Sequence, residues 1–145
     1  MVSKIVTIED DAEIAELLCV VLQHPDIAVS TADTGREGLD MVRELRPDLV
    51  LLDVMMPGGM NGWEVYDTIR ADESLQQIPI LMLSVDREAP ERRRAFARSE
   101  IDSYMTKPFD ALRLRREIAR MLGREGLWSR NVPDAKCADD KPTDG

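Results

Sequence analysis

An alternation of short strand-like runs with helical stripes, repeated five times, constrains this chain more than any other feature. Ile5–Ile8, Ile27–Thr31, Leu49–Leu52, Ile80–Leu83 and residues 101–105 are the runs. Those with no polar alternation read as strands covered on both faces. Between the first two, Ile14, Leu17, Leu18, Val21 and Leu22 recur at i, i+3, i+4, i+7 and i+8 and form one helical stripe that stops near His24-Pro25. Thr34 with Glu37 reads as a capping box before a helix carrying Leu39, Val42 and Leu45, broken at Pro47-Asp48. Residues 57–62 form a loop, after which Asn61 can cap a helix bearing Tyr66 and Ile69, with Glu64 favouring its N-terminus. Pro90 suits the first turn of a helix over 90–99. Asp110 can cap a last helix with Leu114, Ile118, Met121 and Leu122 inward, Phe109 stapling to Leu114. Five βα units in succession imply one parallel sheet with helices on both faces and right-handed crossovers.

In such a sheet, ligands bind beyond the carboxyl ends of the strands. Polar residues stand at those ends here: Glu9 and Asp10 after the first run, Asp53 after the third, Ser84 after the fourth and Lys107 after Thr106. Alone, each has an ordinary explanation as a helix cap, a dipole complement or a turn residue. Together they make a charged cluster with a defined chemistry. Three carboxylates repel one another unless a cation intervenes, and oxygen ligands suit a hard divalent ion, Mg²⁺ above all. No His or Cys joins them, which weighs against zinc and copper. Lys107 is a flexible point charge suited to phosphate, and Ser84 offers a hydroxyl donor. A carboxylate nucleophile with a divalent ion, an ammonium and a hydroxyl defines a phosphoryl-transfer site.

The 145 residues fit one core, and no apolar stretch is long enough to span a membrane. Met1-Val2-Ser3-Lys4 leads into a strand without a signal-peptide pattern, so a cytoplasmic location is expected. Cys19 and Cys137 lack C-x-x-C spacing or a histidine partner, which suggests neither a zinc site nor a disulfide framework. The net charge of −9 argues against a general nucleic-acid binder. Charge is uneven: residues 87–124 carry 11 Lys/Arg against 6 Asp/Glu, and the rest carries 8 against 22. That basic segment is either a solvated face or a docking face for an acidic partner or a second copy. The folded domain is taken as residues 1–123, with 124–145 a flexible tail in which Leu127-Trp128 could still pack on the domain.

The segments Ile5–Asp11, Asp53-Val54-Met55-Met56-Pro57 with Asn61-Gly62, Leu83-Ser84 and Tyr104–Phe109 resemble the receiver domain of two-component response regulators, of the chemotaxis-regulator type. The resemblance covers about residues 3–122. It implies a doubly wound, flavodoxin-like (βα)5 fold with strand order 2-1-3-4-5. It also implies that Asp53 takes a phosphoryl group from the phosphohistidine of a sensor histidine kinase or phosphotransfer protein. Asp10, Glu9, Asp53 and the backbone carbonyl of Met55 would hold Mg²⁺. Lys107 would pair with the phosphoryl group, Ser84 would hydrogen-bond it, and Tyr104 would change rotamer as Ser84 shifts. Phosphorylation would then favour one packing of the face built by the helix over 90–99, the fifth strand and the last helix. That face would engage a downstream protein or a second copy, without direct nucleic-acid or membrane contact.

The sequence departs from the family pattern at three places. The loop 57–62 is one residue longer, Val85 stands where Ala is common, and Ser99-Glu100 replaces Gly-Ala. None removes a chemical group. Two other readings compete: a degenerate receiver acting as a constitutive interaction module, and an Mg²⁺-dependent phosphatase. The phosphatase would need an acid two residues after its nucleophile, where Met55 stands.

Overall fold

The computed structural model describes residues 2–54, 60–84, 102–106 and 109–128. The expected helix over 90–99, Met55, Val85, Ser99-Glu100, Lys107 and residues 131–145 lie outside these. The elements run β1 (Ser3–Ile8), α1 (Ala12–Val21), β2 (Ile27–Ala32), α2 (Gly35–Leu45), β3 (Leu49–Asp53), α3 (Gly62–Ala71), β4 (Ile80–Ser84), β5 (Ser103–Thr106) and α4 (Ala111–Met121). The strands form one sheet in the order β2-β1-β3-β4-β5, every pair parallel. This is the arrangement that the alternating pattern and the family resemblance implied.

Successive strand residues point to opposite faces, so each apolar run feeds two cores. Val6, Ile8, Val50, Leu52, Ile80 and Met82 pack with residues of α2 and α3. Ile5, Leu49, Leu51, Leu81 and Leu83 pack with Leu18, Val21 and Leu22 of the first helix and Leu114 and Ile118 of α4. Burying each such side chain stabilises the fold by about 1.5–3 kcal/mol. The α1 stripe is narrower than its spacing suggested. Leu17 is 46% exposed, because the helix meets the sheet along Leu18, Val21 and Leu22.

The caps hold with two differences. Thr34 accepts from the Glu37 N–H at 3.1 Å, but Glu37 reaches back to the N–H of Asp33 at 3.3 Å, one residue before the cap. Asp110 occupies the N-cap of α4 without a side-chain capping bond. Phe109 packs in the core cluster that contains Leu114, as a staple requires. Beyond α4 the chain turns back onto the domain. Arg124 donates to Ser3 Oγ at 3.0 Å and pairs with Asp26 at 3.3 Å. Trp128 Nε1 donates to the Gln23 carbonyl at 3.2 Å, its ring edge-on to His24 at 5.9 Å.

Among the described residues, no helix is long and apolar enough to cross a membrane.

Candidate functional site

The parallel register delivers the strand ends to one edge. Glu9 extends β1 by one bond, its N–H donating to the Ala32 carbonyl at 3.0 Å. Asp53 closes β3 and stands opposite Leu83 of β4, with the Val54 N–H donating to the Leu83 carbonyl at 3.0 Å. By the strand period Asp53 shares the face of Leu49 and Leu51, on the side of α1.

One carboxylate oxygen each from Glu9, Asp10 and Asp53 lie within 4.8 Å of one another. Glu9 is 2% exposed and Asp53 4%, while Asp10 is open to solvent. Buried carboxylates need compensation, and three so close repel strongly if all are ionised. The donor set is oxygen only, and its span matches the roughly 4–5 Å across the coordination sphere of a hard cation with bonds of about 2.0–2.6 Å. The residues therefore fit a divalent ion such as Mg²⁺. The third acid of the run, Asp11, serves differently. It caps α1, its Oδ1 accepting from the Glu13 N–H at 2.9 Å, while its own N–H donates to Glu9 Oε2 at 3.2 Å. That bond orients Glu9 toward the site.

Helix α3 begins against Asp53. Asn61 and Glu64 form a complete capping box, Glu64 N–H to Asn61 Oδ1 at 2.9 Å and Asn61 N–H to Glu64 Oε1 at 2.8 Å. Gly62 donates to the Val54 carbonyl at 3.0 Å. A Cβ on Gly62 would stand 2.3 Å from the Asp53 carbonyl oxygen and 2.7 Å from Val54 Cα. Glycine is required because helix and strand end touch backbone to backbone.

Ser84 ends β4 in register with Thr106, the last residue of β5. The structure thus brings Glu9, Asp10 and Asp53 together and sets the Ser84 backbone at the same edge. Lys107 and Met55 are outside the described residues. Tyr104 lies on the α3 face of β5, half-buried, its ring stacked on Trp63 with centroids 6.4 Å apart and planes 19° apart.

A second polar cluster escaped the sequence reading. Asp102, buried just before β5, accepts from the Tyr66 hydroxyl at 2.9 Å, from the Ile80 N–H at 3.0 Å and from the Arg70 guanidinium. Arg70 also donates to the carbonyls of Gln76 and Ile78 at 3.0 and 2.8 Å. Burial, reinforced by the hydrogen bond and charge of Asp102, pushes the Tyr66 phenol above its ordinary range. The signal in the sequence was the spacing Trp63, Tyr66, Arg70 (i, i+3, i+7), one amphipathic stripe aimed at a single neighbour.

A parallel five-stranded sheet in this order, with an acidic triad at its carboxyl edge, defines a doubly wound signalling module. The family model for the response regulator receiver domain matches residues 5–119, and the chain belongs to that family. The DNA-binding response regulator MtrA of Mycolicibacterium paratuberculosis is 39% identical over 124 residues, 86% of this chain and 52% of MtrA. The chain therefore spans about half the length of that relative. The chemotaxis protein CheY4 of Vibrio cholerae superposes with a TM-score of 0.72 at 29% identity, over 83% of this chain and 99% of that one. The receiver domain of the sensor histidine kinase PA1611 from Pseudomonas aeruginosa PAO1 has a magnesium ion coordinated in its active site cleft. It matches with a TM-score of 0.72 at 24% identity, over 85% of this chain and 99% of its own, a likeness of fold.

Proposed function

We propose that Asp53 is the phosphoacceptor of a two-component switch. A carboxylate oxygen of Asp53 attacks the phosphorus of a phosphohistidine on a sensor kinase or phosphotransfer protein. The new P–O bond forms as the P–N bond breaks, and the electron pair leaves with the imidazole. The observation that carries this reading is the meeting of Glu9, Asp10 and Asp53 within 4.8 Å at the strand ends. Those three carboxylates, with the Met55 carbonyl, would hold Mg²⁺, whose charge offsets that of the carboxylates and the phosphoryl oxygens. Lys107 and Ser84 take the phosphoryl oxygens in this reading, on the strength of their places directly after β5 and at the end of β4. Tyr104 serves as the readout. The chain acts as a phosphoacceptor that promotes its own modification, with no separate substrate to turn over. We assign this role to residues 1–123, treat 124–145 as an appendage, and place the protein in the cytoplasm. The acidic net charge fits partners that are proteins, a kinase upstream and a protein target or second copy downstream, in place of nucleic acid.

The test is incubation with Mg²⁺ and acetyl phosphate, comparing the native chain with Asp53→Ala. An acid-stable, base-labile adduct on the native chain alone is expected. No adduct together with no Mg²⁺-dependent beryllofluoride binding would overturn the reading in favour of a constitutive interaction module. Steady hydrolysis of a phosphate ester would instead indicate a phosphatase.

A further inference from the structure

The stripe of α3 meets the β5 segment at two points. Asp102 and Tyr104 lie two residues apart, on one side of the strand. At the Asp102 end the contact is charged, buried and hydrogen-bonded to Tyr66, Arg70 and the Ile80 N–H. At the Tyr104 end the contact with α3 includes a ring stack on Trp63. Trp63 is itself braced by Tyr66, whose ring stands edge-on to it at 6.2 Å and 86°. A charged, desolvated contact resists opening, whereas an aromatic stack at a half-buried position opens at modest cost. The Asp102 end is thus a charged pivot, with the Trp63–Tyr104 stack beside it as the latch.

The latch has a direct route to the acidic site. Trp63 follows Gly62, which donates to the Val54 carbonyl and leaves no room for a side chain against Asp53 and Val54. A shift of the strand end at Asp53 cannot be absorbed at Gly62 and passes to Trp63.

We propose that Trp63 is a positioning residue of the switch, holding Tyr104 by its stack in the arrangement described here and yielding when the acceptor end of β3 is modified. This rests on the reading of Asp53 as phosphoacceptor and Tyr104 as readout. The stack biases the switch toward the unmodified arrangement by the strength of one aromatic pair, about two- to tenfold in equilibrium constant.

The chain has two tryptophans, so Trp128→Phe leaves Trp63 as sole indole reporter. Beryllofluoride with Mg²⁺ is the probe, its binding followed by ¹⁹F NMR and Trp63 by emission. Emission is expected to change in step with the ¹⁹F signal and to stay constant in Asp53→Ala. Trp63→Ala should raise the apparent beryllofluoride affinity about two- to tenfold, and Trp63→Phe, which restores a ring, should return it toward the native value. Where circular dichroism shows Trp63→Ala unfolded, Trp63→Phe and the emission of Trp128→Phe still decide. Bound fluoride with unchanged Trp63 emission, or native affinity in folded Trp63→Ala, overturns the role of Trp63 and leaves the phosphoacceptor reading standing. Absence of any bound ¹⁹F signal in the native chain overturns both.

Discussion

Single atoms decide how closely α3 can approach the acceptor strand. Gly62→Ala places a methyl 2.3 Å from the Asp53 carbonyl oxygen, a backbone group that cannot swing away. The expected result is a loss of about 1–3 kcal/mol in urea denaturation, together with slower adduct formation from acetyl phosphate. Asn61→Ala tests the neighbouring cap. It leaves the Glu64 N–H without its side-chain acceptor and should cost about 1 kcal/mol by the same measurement, without abolishing the adduct. Both residues were readable in advance only in part. Asn61 announced a cap because an amide before a helical stripe has few other uses, but Glu64 was read for its charge and not for its bond back to Asn61. Gly62 gave no clue, since the contact it permits is made with residues eight and nine positions earlier. Asp53, Glu9 and Asp10 were legible because a carboxylate after an apolar run needs a reason. Lys107 and Ser84 were assigned from chain position alone, and their side chains are outside what the structure describes.

Between elements, the α3–β5 contact is where the sequence said least and the structure adds most. Asp102 ties Tyr66 and Arg70 of α3 to the first N–H of β4, so one carboxylate fixes three elements. Asp102→Ala strands the Arg70 guanidinium, whose side chain is 19% exposed, and should cost about 3 kcal/mol by urea denaturation. The Tyr66 phenol gives a pH signature. Its pKa is raised in the folded protein, first by burial and then by Asp102, whereas in the unfolded chain it ionises near its ordinary value of about 10. The unfolded state therefore releases the proton first. The stability contributed by the neutral phenol is complete below about pH 10 and is lost as pH rises through the folded value. Urea midpoints at about pH 8 and about pH 10.5 should converge in Tyr66→Phe more than in the native chain, with about 1 kcal/mol lost at the lower pH from the missing bond. The strands themselves were legible to within two residues because their apolar runs are uninterrupted. The start of β5 was less exact, expected within residues 101–105 and observed as Ser103–Thr106, with Asp102 anchoring the chain just before it.

Across the whole molecule, the two edges of the sheet are built differently. Its carboxyl edge carries the acidic triad, and its amino edge is closed by the segment after α4. There Arg124 binds Ser3 and Asp26, and Trp128 packs on Gln23, His24 and Arg115. Trp128→Ala should lower stability by about 1–3 kcal/mol, read as a drop in Tm, while beryllofluoride binding at the far edge stays native. Composition hinted that Leu127-Trp128 would pack, but it held no sign of Arg124, whose partners stand about a hundred residues away. The Arg124–Ser3 bond also means that the beginning of β1 and the turn after α4 are neighbours in space. A short linker joining residue 128 to residue 2, with the chain opened between the exposed Glu73 and Ser74, would give a circular permutant. In it the new first strand is β4, yet every strand keeps its partners and Asp53 keeps Glu9 and Asp10 beside it, so chain order and site assembly become separable properties of this fold.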